Sequence, residues 1–170
     1  MRKLIVIFVL ILSLCGCSNA AAATPQEVAA AFRKDFSAKA TAVFGDNETG
    51  MSISKNGMSI SILLDSPAEL AGMGIELFDE HAKVTYQGME QEIDTDSLPG
   101  GTPFLLLEEL FNELANADEF ALSTEDGNLV AKNDDFTAVL SSEDLSLISA
   151  AFQRYATEFS FSDWAFGEAG

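Results

Sequence analysis

The sequence predicts an α+β domain in which a curved antiparallel sheet carries two helices on one face. Three observations predict it. Two segments open on Thr-Pro and then place apolar residues at helical spacing, one near Pro25 and one near Pro103. Between and after them run short alternating stretches separated by tight-turn dipeptides such as Asn56-Gly57 and Asp126-Gly127. The order of helix, hairpins, helix and more hairpins lacks the strand-helix alternation of a parallel sheet. A chain of 170 residues with 48% hydrophobic and 21% charged residues is long enough for one domain with a real core.

Taken in order, Thr24-Pro25-Gln26-Glu27 reads as a capping box with Pro at the first helical position, so a helix runs from here to about Asp35 with Val28, Phe32 and Phe36 on one side. Ala38 to Phe44 reads as a strand that leads into a Gly45-Asp46-Asn47 turn. Gly50 to Leu64 holds two alternating runs about Asn56-Gly57. If those two residues are the loop, Ile53 faces Ile60, Met51 faces Ile62, and Ser54 and Ser52 face Ser59 and Ser61. One sheet face is then apolar and the other serine. After Ser66-Pro67, Met73, Ile75 and Leu77 alternate as a strand, a turn falls near Asp79 to His81, and Lys83 to Gly88 returns, with Gly88 marking a bulge. Leu98-Pro99-Gly100-Gly101 breaks the sheet. Thr102 then caps a second helix whose stripe is Phe104, Leu107, Leu110, Phe111 and Leu114, with Glu108, Glu109, Asn112 and Glu113 on its wet side. Phe120 and Leu122, Leu129 to Lys132, and Phe136 to Leu140 form strands around turns at Asp126-Gly127 and Asn133-Asp134-Asp135. Two further strands occupy the stretch through Ile148, Phe152, Tyr155, Phe159, Phe161 and Trp164.

The first residues form an address. Arg2 and Lys3 precede nine uninterrupted apolar residues, Leu4 to Leu12, too short for the roughly 20 that cross a bilayer but right for a secretory signal. Leu14-Cys15-Gly16-Cys17 resembles the bacterial lipobox, in which the Cys after a small residue receives diacylglycerol. That resemblance assigns lipidation to Cys17, residues 1–16 to a cleaved signal, 17–23 to the anchor and a short tether, and 24–170 to the domain. It implies a protein outside the bacterial cytoplasmic membrane, or on the outer membrane where the cell has one, attached through Cys17 and otherwise monomeric. Removing residues 1–16 takes away Arg2 and Lys3 and no acid, so seven bases face 27 acids, a balance of −20. Nucleic acid is excluded as a partner, because phosphate binding needs clustered Lys and Arg.

Residues able to carry chemistry are few. His81, the single His, sits between Glu80 and Ala82 in the expected turn and reads as solvated. Once Cys17 is acylated, no thiol is left for a disulfide, a nucleophile or a metal. Asp94-Thr95-Asp96-Ser97 lacks the Gly and Glu of a calcium loop, and Asp134-Asp135 reads as surface charge. Gly-x-Ser-x-Gly, HExxH and phosphate-loop motifs are all missing from the sequence. The expectation is a protein that is not an enzyme, with no cofactor and no metal.

What remains is apolar. Met51, Ile53, Ile60, Ile62, Met73, Ile75, Leu77 and Tyr86 fall on strand faces that either pack as plain core or line a pocket, which flexible Met side chains suit. The element order, with Ser66-Pro67-x-x-Leu70-x-Gly72 linking the hairpins, a middle helix after Leu98-Pro99 and a Phe159-Ser160-Phe161-Ser162-Asp163-Trp164 end, resembles the lipoprotein-carrier superfamily of LolA, LolB and LppX type over about residues 25 to 165. The resemblance implies a half-barrel whose helices plug its concave face, with acyl chains held between them. A binder or carrier of a lipid or other apolar ligand is therefore expected. The alternative is a ligand-free interaction module that meets a protein partner through its acidic surface.

Overall fold

The structure, a computed structural model, describes residues 23–78 and 80–167. The signal segment, Cys17 and the tether to residue 22 lie outside the described residues, as does Asp79 of the expected turn. The expected architecture is present: one sheet of eleven strands, antiparallel throughout, with two helices on one face.

Helix α1 spans Pro25–Phe32. Its capping box forms as expected, the Glu27 amide donating to Thr24 Oγ1 at 3.3 Å and the Thr24 amide to Glu27 Oε2 at 2.7 Å. The helix stops at Phe32, short of the expected Asp35, because Asp35 is drawn away to accept a hydrogen bond from the Gly57 amide at 2.8 Å and Phe36 opens the first strand.

Strands β1 (Phe36–Phe44), β2 (Asn47–Asn56), β3 (Ser59–Leu64), β4 (Gly74–Phe78), β5 (His81–Tyr86) and β6 (Met89–Asp94) form one meander. After helix α2 (Pro103–Leu114), strands β7 (Ala121–Glu125), β8 (Asn128–Lys132), β9 (Thr137–Leu140), β10 (Leu147–Phe152) and β11 (Thr157–Phe166) form another. The first and last strands join them, giving the order β6-β5-β4-β3-β2-β1-β11-β10-β9-β8-β7. Ala38, Ala40 and Ala42 of β1 are buried beneath the helices. Their small side chains leave room at the centre of the sheet, a tertiary reason for Ala where strand propensity alone disfavours it.

Three expectations about hairpins are corrected. Asn56 pairs with Ser59, so the β2–β3 loop is Gly57-Met58, and Ile53 faces Ile62, Met51 faces Leu64 and Lys55 faces Ile60. Gly57 takes φ +59°, which suits the first position of a two-residue turn. The actual pairing differs from the expected one by two in residue sum, so the same side chains stay on the same faces. Gly88 is not a bulge. It and Gln87 both take positive φ, 81° and 50°, and form the turn into β6. Met89 and Ile93 fall on the opposite parity from Val84 and Tyr86, which suggests a bulge; the turn accounts for that change and makes Met89–Asp94 a strand of its own. His81 is the first residue of β5, exposed and 3.9 Å from Glu92, and not part of a turn.

Thr102 occupies the N-cap of α2 without capping it, since its hydroxyl donates to the Pro99 carbonyl at 2.6 Å. Leu106, Leu107, Leu110, Phe111 and Leu114 are buried against the sheet, while Phe104 is half-buried. Glu108 and Glu113, expected on the wet side, are also half-buried.

The core has an aromatic end. Phe36 lies 4.9 Å from Phe111 and stacks on Trp164 at 4.7 Å, and Phe32, Phe161 and Phe166 pack around them. A register shift opposite Ser37–Lys39, with Asp163 at φ +50°, turns β11 so that Phe161 and Trp164 both reach Phe111.

Candidate functional site

The apolar face of β2–β4 is closed over most of its area by the helices, but not at the start of α2. There a pocket of about 210 Å³ is lined by Met51, Ile62, Leu64, Met73, Ile75 and Phe104, with Phe44, Thr49, Leu70 and Pro103 around them. The strand pattern puts the odd residues of β2 and the even residues of β3 on this face, and the Pro103-Phe104 start of α2 forms the opposite wall. The link from Leu64 to Met73 makes the lip. It folds back on itself through the Gly72 amide to the Leu64 carbonyl at 2.9 Å and the Leu70 amide to the Pro67 carbonyl at 2.9 Å. Leu70, 37% exposed, is the large apolar side chain that the lip presents to solvent.

Of the eight residues expected to line a ligand, Met51, Ile62, Met73 and Ile75 meet in this pocket. Ile53, Ile60 and Leu77 share the face but are filled core, 2%, 2% and 0% exposed. Tyr86 is half-buried, and its hydroxyl donates to the Glu69 carbonyl at 2.6 Å, which ties β5 to the lip. The other wall was missed by strand reasoning. Phe44, Leu70, Pro103 and Phe104 come from three separate segments, and the signal for the last two was the amphipathic start of α2.

A larger groove of about 660 Å³ lies on the opposite face, where Ser52, Ser54, Ser61 and Thr85 are too small to fill the twisted sheet. Three of its polar side chains, Ser52, Lys39 and Lys83, already have partners. Ser52 donates to Asp65 at 2.8 Å, Lys39 pairs with Asp163 at 2.8 Å and Lys83 with Glu90 at 3.1 Å. Volume alone does not make a ligand site; an apolar concavity is the better candidate because burying apolar surface is what binds an uncharged group.

Carboxylates gather at the outer side of α2. Glu109, Glu113 and Asp135 bring one oxygen each within 4.8 Å of one another, the one such grouping among the described residues. Burial holds the Glu109 and Glu113 carboxyls above their ordinary values; the charges of Glu113 and Asp135 add to the rise at Glu109 against Arg154, and those of Asp135 and Glu119 add at Glu113, where Asn133 donates and opposes it. Glu108 is raised by burial alone. Asp94 and Asp96 hold no such arrangement, since Asp94 accepts the Asp96 amide at 3.1 Å and caps the turn that follows β6.

No protein-family model matches the chain, and no curated protein matches its sequence. Among solved structures, a conserved protein from Thermus thermophilus superposes with TM-score 0.55 at 7% identity, over 84% of this chain and 85% of that one. The likeness is one of fold. A LolA superfamily protein from Nitrosomonas europaea aligns at TM-score 0.43 and 11% identity over 88% of this chain and 96% of that one. LprF from Mycobacterium bovis aligns at TM-score 0.44 and 8% identity over 82% and 90%. Among the described residues no helix is long and apolar enough to cross a membrane.

Proposed function

We propose that the protein is an extracytoplasmic lipoprotein, anchored through Cys17, that binds an apolar ligand or the apolar end of a lipid and carries out no catalysis. The observation that supports this reading is the pocket at the start of α2, whose lining is almost wholly apolar and whose lip exposes Leu70. A filled core would have closed that space, since interiors pack to crystal density. At about 210 Å³ the pocket exceeds the roughly 150 Å³ that holds a benzene ring, so it takes a ring or a short alkyl segment.

The same volume favours a second reading. Sites that enclose a drug-sized ligand run to about 300–1,000 Å³, and most of the face expected to hold acyl chains is occupied by helix side chains. An interaction module with a nearly closed core is therefore the rival. Purified protein, titrated with a polarity-sensitive naphthylamine dye, separates the two. Binding at one site that is lost in Met73→Glu, while the far-ultraviolet spectrum is unchanged, supports the ligand reading. Absence of binding overturns it in favour of the interaction module. Intact mass of the membrane-extracted protein, with and without Cys17→Ser, tests the anchor.

A further inference from the structure

The chemistry around the pocket restricts what its ligand carries outside it. None of the residues that line the pocket is a base, and the stretches next to them carry acids. Asp46 and Glu48 lie between Phe44 and Thr49, Glu69 precedes Leu70, and Glu108 follows Phe104 by one helical turn, on the same side of α2. Glu69 is exposed at the lip, and Glu108 is half-buried with neither an ion pair nor a hydrogen bond among the described residues. The bases lie elsewhere. Lys55 is bound at 3.3 Å to the Arg33 carbonyl, Arg33 reaches the Ala115 carbonyl at 2.8 Å, and Lys39 and Lys83 are paired on the opposite face.

We infer that the ligand is amphiphilic with a cationic head, its apolar part in the pocket and its positive charge against Glu69 and Glu108. This rests on the ligand reading given above and narrows it. A carboxylate or phosphate head would meet only like charge at the mouth, in a site whose apolar walls weaken screening. A cationic head instead supplies the missing partner to Glu108, whose desolvation is otherwise uncompensated.

The test uses residues 23–170, which carry every strand, both helices and the core described. Calorimetric titration with octyltrimethylammonium, octyl glucoside and octyl sulfate, all below micelle formation, compares heads on one tail. Binding in the order cationic, neutral, anionic is expected, at least tenfold between the extremes. The spread should narrow as salt shortens the screening length towards about 8 Å at 0.15 M. Because the whole chain is acidic, two variants of equal net charge are compared. Glu69→Gln with Glu108→Gln should abolish most of the preference, whereas Glu125→Gln with Glu143→Gln, on the far turns of the second meander, should keep it. Equal affinities for the three compounds, or a preference that survives in the mouth variant, overturns the inference and leaves the pocket reading standing. Failure of all three to bind overturns both.

Discussion

The two ends of the helix–sheet interface are built from different materials. At one end Phe32, Phe36, Phe111, Phe161 and Trp164 pack ring against ring, Phe36 stacked on Trp164 and most of the others edge to face or tilted. At the other, Met51, Ile62, Leu64 and Met73 meet Phe104 and leave about 210 Å³. Aromatic rings have few torsions and specific mutual geometry, so they fix the angle at which the helices sit. Aliphatic and thioether side chains adapt to a varying occupant. The difference teaches that stability and binding are separated along α2: its second half holds the fold, and its first turn borders the pocket.

That division can be broken or sharpened by substitution. Phe111→Ala, at a fully buried ring, should cost about 3–5 kcal/mol, read from the urea midpoint, and a loss under about 1 kcal/mol would show that the aromatic end is not the anchor. Leu70→Ala should leave that midpoint nearly unchanged while weakening dye binding about tenfold, the equivalent of roughly 1.4 kcal/mol of lost apolar contact. Equal effects on stability and binding would erase the distinction between the ends. Lys55→Met keeps the methylenes on the apolar face but removes donation to the Arg33 and Lys34 carbonyls at 3.3 and 3.4 Å, and should cost about 1 kcal/mol by thermal melting without touching the pocket.

The smallest effect concerns protons. Burial raises the Glu109 carboxyl above its ordinary 4.5, so the folded chain binds its proton more tightly than the unfolded one. Below that value both states are protonated and nothing is lost. As pH rises through it the unfolded chain ionises first, and stability falls until the folded carboxyl ionises too. Glu109→Gln should therefore stabilise slightly at neutral pH and not at acid pH, measured by melting across that range. A gain independent of pH would point to a cause other than ionisation.

Much of the fold was legible in short stretches. The Thr24–Glu27 capping box, the Thr-Pro starts and the alternation of Met51 to Leu64 are local, because capping and pleat act within a few residues. The β2–β3 register was off because Asn-Gly invites a loop at Asn56, whereas Gly57 alone meets the need for positive φ and Asp35, from outside the hairpin, binds the Gly57 amide. β6 was hidden because a bulge at Gly88 also accounts for Met89 and Ile93 changing parity, and Glu90, Glu92 and Asp94, which guard an edge strand with charge, leave too few apolar residues to mark it as a strand of its own. Four of the ten residues that line the pocket were legible as well, since Met51, Ile62, Met73 and Ile75 declare their face by period.

By itself, then, the sequence determined where both helices begin, most of the strands and which side of each is apolar, the acidic balance and the motif at Cys17, all properties set by neighbours along the chain. Only the tertiary structure decided that β1 pairs with β11, that Trp164 closes one end with Phe36, and that Phe104 and Leu70 meet Met73 to leave a pocket. Those contacts join residues far apart in sequence, and a cavity is the space that two separately patterned surfaces fail to fill when they pack.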